Sequence, residues 1–449
     1  MKFDRNGDKL VIAGAVRTPI GQAGKSLAKI QPYELGGIVT QELLKRTGIP
    51  KDKIECVVAG EINQSSKAPN VARVVSVKNE IPLKSAAVTI ANNCVSGFEA
   101  INEAARRILL GECDTALVLG IESMSNMPIY LDGAKHNSKT ATVQKLKTNW
   151  NEVPQLEDVK PVDSVEEGLT DPVRDAIMFE TAEVVSQKLG LSKKSLDNFA
   201  HGSYRKTYDA IQAGKYKPYL IPVSSEKGSL ENDEFIMSKT GFVEKPERFE
   251  KAKPIYEMIE GGIKEFYKKY GKHIGKEYEE GKTTGTVSLF NSCPQSDGAG
   301  ALLLTTESKA KELGLKPLAY VQGWGNYGVD PVYMGLGIAY AMKQALENTG
   351  LSWDDIGFYE IHEAFAATAL GSIMVVTDEF NYNLMARYDK GDINRNGGTL
   401  AMGHPLGATG IRIAINQLLE LEHEKNSTYS MGAICAGGGV GGALILKRV

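Results

Sequence analysis

The sequence predicts an α/β fold built from two duplicated α/β halves, with a separate domain inserted between them. Three observations lead there. Strand and helix patterns alternate near the N-terminus, a similar series returns near the C-terminus, and the stretch between them differs in composition. KLVIAGAVRTPIG has the apolar run and turn of a strand, YELGGIVTQELLKRTG the spacing of an amphipathic helix, and KIECVVAGE a second strand. Strand, helix, strand is the signature of a parallel α/β unit. The later series is PLAYVQGWGNYG, MGLGIAYAMKQALENTG and IGFYEIHEAFA, in which Thr349, Gly350, Leu351 and Ile356 echo Thr47, Gly48, Ile49 and Ile54. FEAINEAARRIL after Cys94 is answered by IRIAINQLLELE after His404, each leading toward an apolar strand, TALVLGIES and TYSMGAICAG. Each half is expected to carry roughly five strands of its own.

Between the halves, residues 123–282 are richer in Lys and Glu. This insert contains the polar tract GAKHNSKTATVQKLKTNWNE and the helical patterns DAIMFETAEVVSQKLG and SKKSLDNFAHGSYRKTYDAIQAG. Its strongly mixed-charge end, EKPERFEKAKPIYEMIEGGIKEFYKKYGKHIGKEYEEGK, reads as a solvated helical surface, with a lid or partner-docking element as the alternative. GTVSLFNSCPQSDGAGALLLTT then returns to strand-like sequence. The expected division is 1–122 for the first half, 283–307 for its remainder and 308–449 for the second half.

The chain has 449 residues and a formal charge of −3, with lysines spread along its length. That argues against a dedicated nucleic-acid or membrane surface and favours small-molecule chemistry. Five cysteines, at 56, 94, 113, 293 and 435, are an odd number without metal-ligand spacing. Reduced thiols in a cytoplasmic protein, and no metal, are the expectation. MKFDRNGDKL lacks the apolar core of a signal peptide, and no run of about 18 apolar residues is present to span a bilayer.

Two segments carry the features of a reactive site. Cys94 lies in VTIANNCVSGFEAINEAARRIL, where a strand ends in a polar elbow and a helix begins. The free N–H groups and positive dipole end of a helix N-terminus lower a thiol pKa from about 8.5. His404 lies in NRNGGTLAMGHPLGATG, a glycine-crowded loop before another helix. His362 in YEIHEAFAA fits either a site residue or a satisfied core histidine, while His136, His201, His273 and His423 sit in charged, surface-like surroundings. The C-terminal AICAGGGVGGALILKRV raises a third candidate, Cys435. Gly437, Gly439 and Gly442 match G-x-G-x-x-G, but the fingerprint needs a following helix and an acidic residue about 20 positions on. Only ALILKRV remains, a closing strand. Cys435 is therefore a thiol beside backbone that a ligand can approach closely.

NCVSGFEAI, GIESMSNMP, GLTDPVRDAIMFETAEVVSQKLGLSKKSLDNFA, HEAFA, NGGTLAMGHPLGATG and CAGGGVGG, in that order, resemble the thiolase family of acyl-CoA acyltransferases over nearly the whole chain. The resemblance implies the thiolase fold, a five-layered αβαβα core with an inserted loop domain that covers the site and holds coenzyme A. It makes Cys94 the acyl-accepting nucleophile, His404 its base and Cys435 the second acid/base. The backbone N–H groups of Cys94 and Gly437 would stabilise one thioester oxyanion, and His404 with His362 the other. It implies coenzyme A as co-substrate with no permanently bound cofactor, acyl-CoA substrates, and a homodimer or homotetramer. A heteromeric partner docking through the insert stays open.

Departures from the family pattern concern binding. His362 stands where Asn is common and resembles the branch typified by the β-subunit of the trifunctional β-oxidation complex, which favours longer acyl chains. Ala91 replaces the asparagine usual three residues before the nucleophile, with Asn92 next to it, and Cys293 replaces the serine of N-A-S-G, near the pantetheine arm or as a packing cysteine. Ile177-Met178-Phe179 replaces a histidine-containing stretch, and Met237 the arginine placed near adenine. Met178, Cys293, Met334 and Phe365 are the expected pocket residues.

Overall fold

The computed structural model describes residues 3–132, 160–226, 228–424 and 427–449. The polar tract around His136 lies outside them. In the first half, β1 (Asp8–Arg17), α1 (Pro32–Thr47), β2 (Cys56–Gly60), α2 (Val71–Lys78), β3 (Ala86–Ile90), α3 (Ser96–Leu110) and β4 (Thr115–Ser123) follow in order. β5 (Ser296–Thr306) completes it after the insert, and the strands lie in the order β1-β5-β4-β2-β3. The β4, β2 and β3 strands are parallel, whereas β5 runs against both its neighbours.

The second half repeats this arrangement with β6 (Ala319–Gly328), α7 (Gly337–Thr349), β7 (Ile356–Ile361), α8 (Ala366–Glu379), α9 (Thr409–His423), β8 (Tyr429–Ala436) and β9 (Val440–Arg448), ordered β6-β9-β8-β7. Where a fifth strand was expected, only the bridge of Ile393 to Tyr359 is found beside β7 among the described residues. The segment is too irregular to build a ladder. The halves also join edge to edge, because Ala319 and Tyr320 of β6 pair with Ile12 and Val11 of β1. These nine strands, with the short strands Asp4–Arg5 and Gly21–Gln22, thus form one hydrogen-bonded sheet of eleven strands, each half of which covers one side of the central helices.

Five layers result. α1 and α2 cover the outside of the first half through Leu35, Val39, Leu43, Val71 and Val75. α7 and α8 do the same for the second through Met342, Ala345, Ile373 and Val376. α3 and α9 fill the centre. Phe98, Ile101, Ala105 and Ile108 of α3 recur at helical spacing and meet Ile411, Ile415 and Leu418 of α9. α9 is buried on every side from Thr409 to Leu421, as a helix between two sheets must be. Its polar residues are paired: Gln417 donates to Ser430 and to the Leu444 carbonyl, at 3.1 and 3.2 Å.

The central helices approach more closely than side chains allow. A methyl group on Gly97 would stand 2.8 Å from the Gly407 carbonyl oxygen and 3.0 Å from the Cα of Gly410; one on Gly410 would stand 2.5 Å from the Phe98 nitrogen. Backbone meets backbone there.

Between β4 and β5 lie α4 (Met178–Leu189), α5 (Lys193–Gln212) and α6 (Gly262–Ile274). α6 belongs to the strongly charged stretch read as a solvated surface. Only one face of it is solvated, since Phe266, Tyr267, Tyr270 and Ile274 are buried with Val184 of α4. The Tyr256 and Tyr270 hydroxyls donate to Glu180 at 2.9 and 2.6 Å. At the other side a buried bidentate pair anchors the segment, Arg17 donating to Asp233 at 2.7 and 2.9 Å, with the Ile20 N–H on the same carboxylate. Among the described residues no helix is long and apolar enough to cross a membrane.

Two glycine substitutions should have opposite signs. Gly410→Ala overpacks the α3–α9 crossing and is expected to lower stability by about 1–3 kcal/mol. Gly202→Ala, in the interior of α5 with open space around it, should raise it by about 0.8–1 kcal/mol. Urea denaturation of both variants checks the contrast.

Candidate active site

The two central helices point their N-termini at the same place. Before α3, Asn93 takes a left-handed φ of 46°, and Ser96 Oγ accepts the Asn92 N–H at 2.8 Å and donates to the Asn93 carbonyl at 2.6 Å. This elbow holds Cys94. Before α9, the loop after Gly398 delivers His404, whose backbone N–H donates to Ser296 Oγ and the Pro294 carbonyl, each at 3.1 Å. Cys435 comes from the end of β8, where Gly437, Gly438 and Gly439 turn the chain into β9. The expected absence of a helix after that glycine run agrees with this hairpin.

Cys94, His404, Cys435 and Gly437 line one cavity of about 280 Å³, together with Met178, Cys293, Met334 and Phe365. Leu169, Ile177, Phe179, Ile255 and Leu289 extend its apolar wall. His362 is not on that wall. It is buried behind His404, ring centroid to ring centroid 4.4 Å. Met237 does not line the cavity and is exposed; His423 is exposed, whereas His201 and His273 are half-buried. Among the described residues no group of three or more His, Cys, Asp or Glu side chains is placed to hold a metal ion.

The hydrogen bonds define the state of His404. Thr409 Oγ1 contacts both the Pro405 carbonyl at 3.1 Å and His404 Nδ1 at 2.7 Å; with its hydrogen on the carbonyl, it accepts from Nδ1–H. Nε2 is then unprotonated, and among the described residues it is buried without a hydrogen-bond partner. Burial, reinforced by the Arg412 charge, pushes the His404 pKa down to about 3. Burial likewise pushes the Cys94 thiol up to about 12, although the N–H groups of Gly437 and of Cys94 itself both reach Sγ and oppose the shift. Burial also raises Cys435 and Cys293, and each neighbouring thiol adds to it; the Thr368 hydroxyl acts in the other direction at Cys435. The resting site is therefore a neutral imidazole among neutral thiols. This corrects the expectation of a thiol acidified by its helix terminus: desolvation outweighs the dipole, and the Glu122 carboxylate raises the thiol further.

Several positioning residues carry little signal in the sequence. Asn93 Nδ2 donates to the Gly437 carbonyl at 2.9 Å and ties the elbow of one half to the turn of the other. Thr409, one turn into the next helix, becomes readable only once His404 is recognised. Arg412 resembles any helix arginine until its burial is known.

The N-terminal domain of thiolase matches residues 10–264 and the C-terminal domain of thiolase residues 315–448. An acetyl-CoA acetyltransferase of Cupriavidus necator is 32% identical over 445 residues, covering 98% of this chain and 99% of the relative. A probable acetyl-CoA acyltransferase of Staphylococcus aureus is 30% identical over 441 residues, with 98% and 99% covered. Human mitochondrial 3-ketoacyl-CoA thiolase superposes with a TM-score of 0.83 at 28% identity, covering 98% of this chain and 99% of that one. The acetyl-CoA acetyltransferase of Syntrophomonas wolfei also gives a TM-score of 0.83 at 28% identity, over 98% and 100%. The chain belongs to the thiolase family and is an enzyme of that acyltransferase class.

A neutral Cys94 has a kinetic signature. Because the thiolate is the alkylating form and its pKa is raised to about 12, inactivation by iodoacetamide should keep accelerating between about pH 7 and pH 10. A plateau below neutrality would show a preformed thiolate–imidazolium pair. Cys94→Ala identifies the thiol followed.

Proposed function

We propose that the chain cleaves a 3-oxoacyl-CoA with coenzyme A to acetyl-CoA and a shortened acyl-CoA, or runs the reverse Claisen condensation, through an acyl group on Cys94. The observation that carries this reading is the convergence of the Cys94 and Cys435 thiols and the His404 imidazole on one cavity, with the N–H groups of Gly437 and Cys94 at the Sγ of Cys94. In the cleavage direction Sγ attacks the 3-oxo carbon as His404 Nε2 takes its proton. The C2–C3 bond breaks, Cys435 protonates the departing enolate carbon, and the acyl group stays on Cys94. Coenzyme A, deprotonated by Cys435 or His404, then removes it.

The Gly437 and Cys94 N–H groups serve as the oxyanion hole for the Cys94 thioester, and His404 with His362 serve the other oxygen. Coenzyme A is the co-substrate in this reading, with no cofactor bound permanently. The relatives support it, since human mitochondrial 3-ketoacyl-CoA thiolase is known in complex with CoA. Residues 123–282 act as the covering domain. Its apolar contributions, Leu169, Ile177, Met178, Phe179 and Ile255, favour a medium or long straight acyl chain, as does His362 through the trifunctional-complex branch. A branched or aromatic 3-oxoacyl group is the alternative. We take the active form as a homodimer or homotetramer in the cytoplasm, with a partner subunit on the insert as the heteromeric variant.

Thiolysis of acetoacetyl-, 3-oxohexanoyl-, 3-oxohexadecanoyl- and a phenyl-bearing 3-oxoacyl-CoA tests the assignment. Cys94→Ala should abolish turnover, and Cys435→Ala should lower kcat by about 10²–10⁴-fold. The chain-length profile names the substrate class. No turnover by the purified wild type on any of the four would overturn the reading for the isolated chain.

A further inference from the structure

The two histidines are wired differently. Each Nδ1 meets a threonine hydroxyl, Thr409 at 2.7 Å for His404 and Thr399 at 3.1 Å for His362. The second threonine has another neighbour. Arg412, buried on α9, directs Nη2 to Thr399 Oγ1 at 2.8 Å. A guanidinium only donates, so Thr399 accepts there and keeps its hydrogen for a different acceptor. Among the described residues its hydrogen bonds offer one, Nδ1 of His362. Thr409 instead spends its hydrogen on the Pro405 carbonyl.

We propose that Arg412 and Thr399 are positioning residues that hold His362 as the Nε2–H tautomer, opposite to the bare Nε2 that Thr409 imposes on His404. The pair then presents one donor and one acceptor, from rings 4.4 Å apart. Both Nε2 atoms are buried and, among the described residues, without a hydrogen-bond partner, as reacting groups awaiting a ligand would be. Glu360 and Glu363 face the same arginine: Glu360 Oε2 lies 3.7 Å from Nη1, and Glu363 is held by Ser203, Asn394 and the Leu400 N–H. A guanidinium is not deprotonated in a protein and only donates, so Arg412 keeps Thr399 turned as an acceptor toward it.

The use of this wiring rests on the reading of His362 as a donor to the substrate oxygen. When Sγ of Cys94 attacks the 3-oxo carbon, its proton passes to Nε2 of His404 and the C=O π pair moves onto the 3-oxo oxygen, beside the Gly437 and Cys94 N–H groups. As that pair re-forms the C=O of the Cys94 thioester, the C2–C3 bond breaks and its electrons form the enolate, whose charge lies on the C1 thioester oxygen. His362 donates its Nε2–H to that oxygen without releasing the proton. Two bare nitrogens would leave the oxyanion facing lone pairs, and two protonated ones would leave the thiol without a base.

Selective ¹⁵N labelling of the histidines, with His362→Asn to assign the signals, reads the tautomer directly. The expected result is a pyrrole-type Nε2 and a pyridine-type Nδ1 for His362, with the Nδ1 resonance moving when Thr399→Val removes its donor. A pyrrole-type Nδ1 in the wild type overturns the proposal. In thiolysis, Thr399→Val should lower kcat by up to about 100-fold at unchanged KM. Thr399→Ser should restore it, and Thr399→Val should cost nothing further in the His362→Asn background. An equal loss in both backgrounds means that Thr399 acts on packing alone, which also overturns it. If His362→Asn leaves kcat intact while the spectrum shows Nε2–H, the tautomer assignment stands and the donor reading of His362 fails.

Discussion

The contact on which the site depends is the crossing of α3 and α9 at Gly97 and Gly410. Cys94 precedes one of these helices and His404 the other, so the distance between nucleophile and base is set by how closely the two backbones approach. Glycine at both positions removes the side chains that would hold them apart. The rest of the fold holds that crossing in place. Sheets on both sides bury the pair, the outer helices cover the sheets, and the Arg17–Asp233 pair fastens the intervening segment to the first strand. A buried pair of this kind adds little net stability when intact, but losing one partner is costly. It serves as a register mark more than as glue.

Burial explains the electrostatics. A thiol and an imidazole in an apolar cavity without counter-ions both stay neutral, and the site relies on directional hydrogen bonds for its polarity. Charge arises only when a proton moves, and the groups that meet it are already aimed: the N–H groups of Gly437 and Cys94 and the bare Nε2 of His404. Such an arrangement needs no reorganisation at the moment of reaction.

Much of this was legible in the sequence because it rests on local pattern. The helical spacing of FEAINEAARRIL, the all-round apolar character of IRIAINQLLELE and the strand signal of ALILKRV each correspond to an observed element, and the repeated series of elements foretold the paired halves. Cys94, His404 and Cys435 stood out because polar or glycine-rich loops are poor places for a packing residue. What escaped depended on contacts distant in sequence. The amphipathic face of α6 was hidden by its many charges, and the place of His362 behind His404 follows from the approach of β7 to a loop 37 residues later. The ionisation state of Cys94 escaped for a related reason. A helix N-terminus can be read from sequence, but the depth of the cavity it faces cannot.

The duplication has a consequence for how this chemistry can be assembled. A symmetric pair of either half would place identical residues at both helix N-termini, thiol against thiol or imidazole against imidazole. Only a chain carrying both copies lets them diverge, so that one contributes the nucleophile and the other its base, the second thiol and the Gly437 turn that Asn93 grips. Fusion here is what permits an unlike pair to occupy a two-fold frame. Neither half on its own contains a complete site.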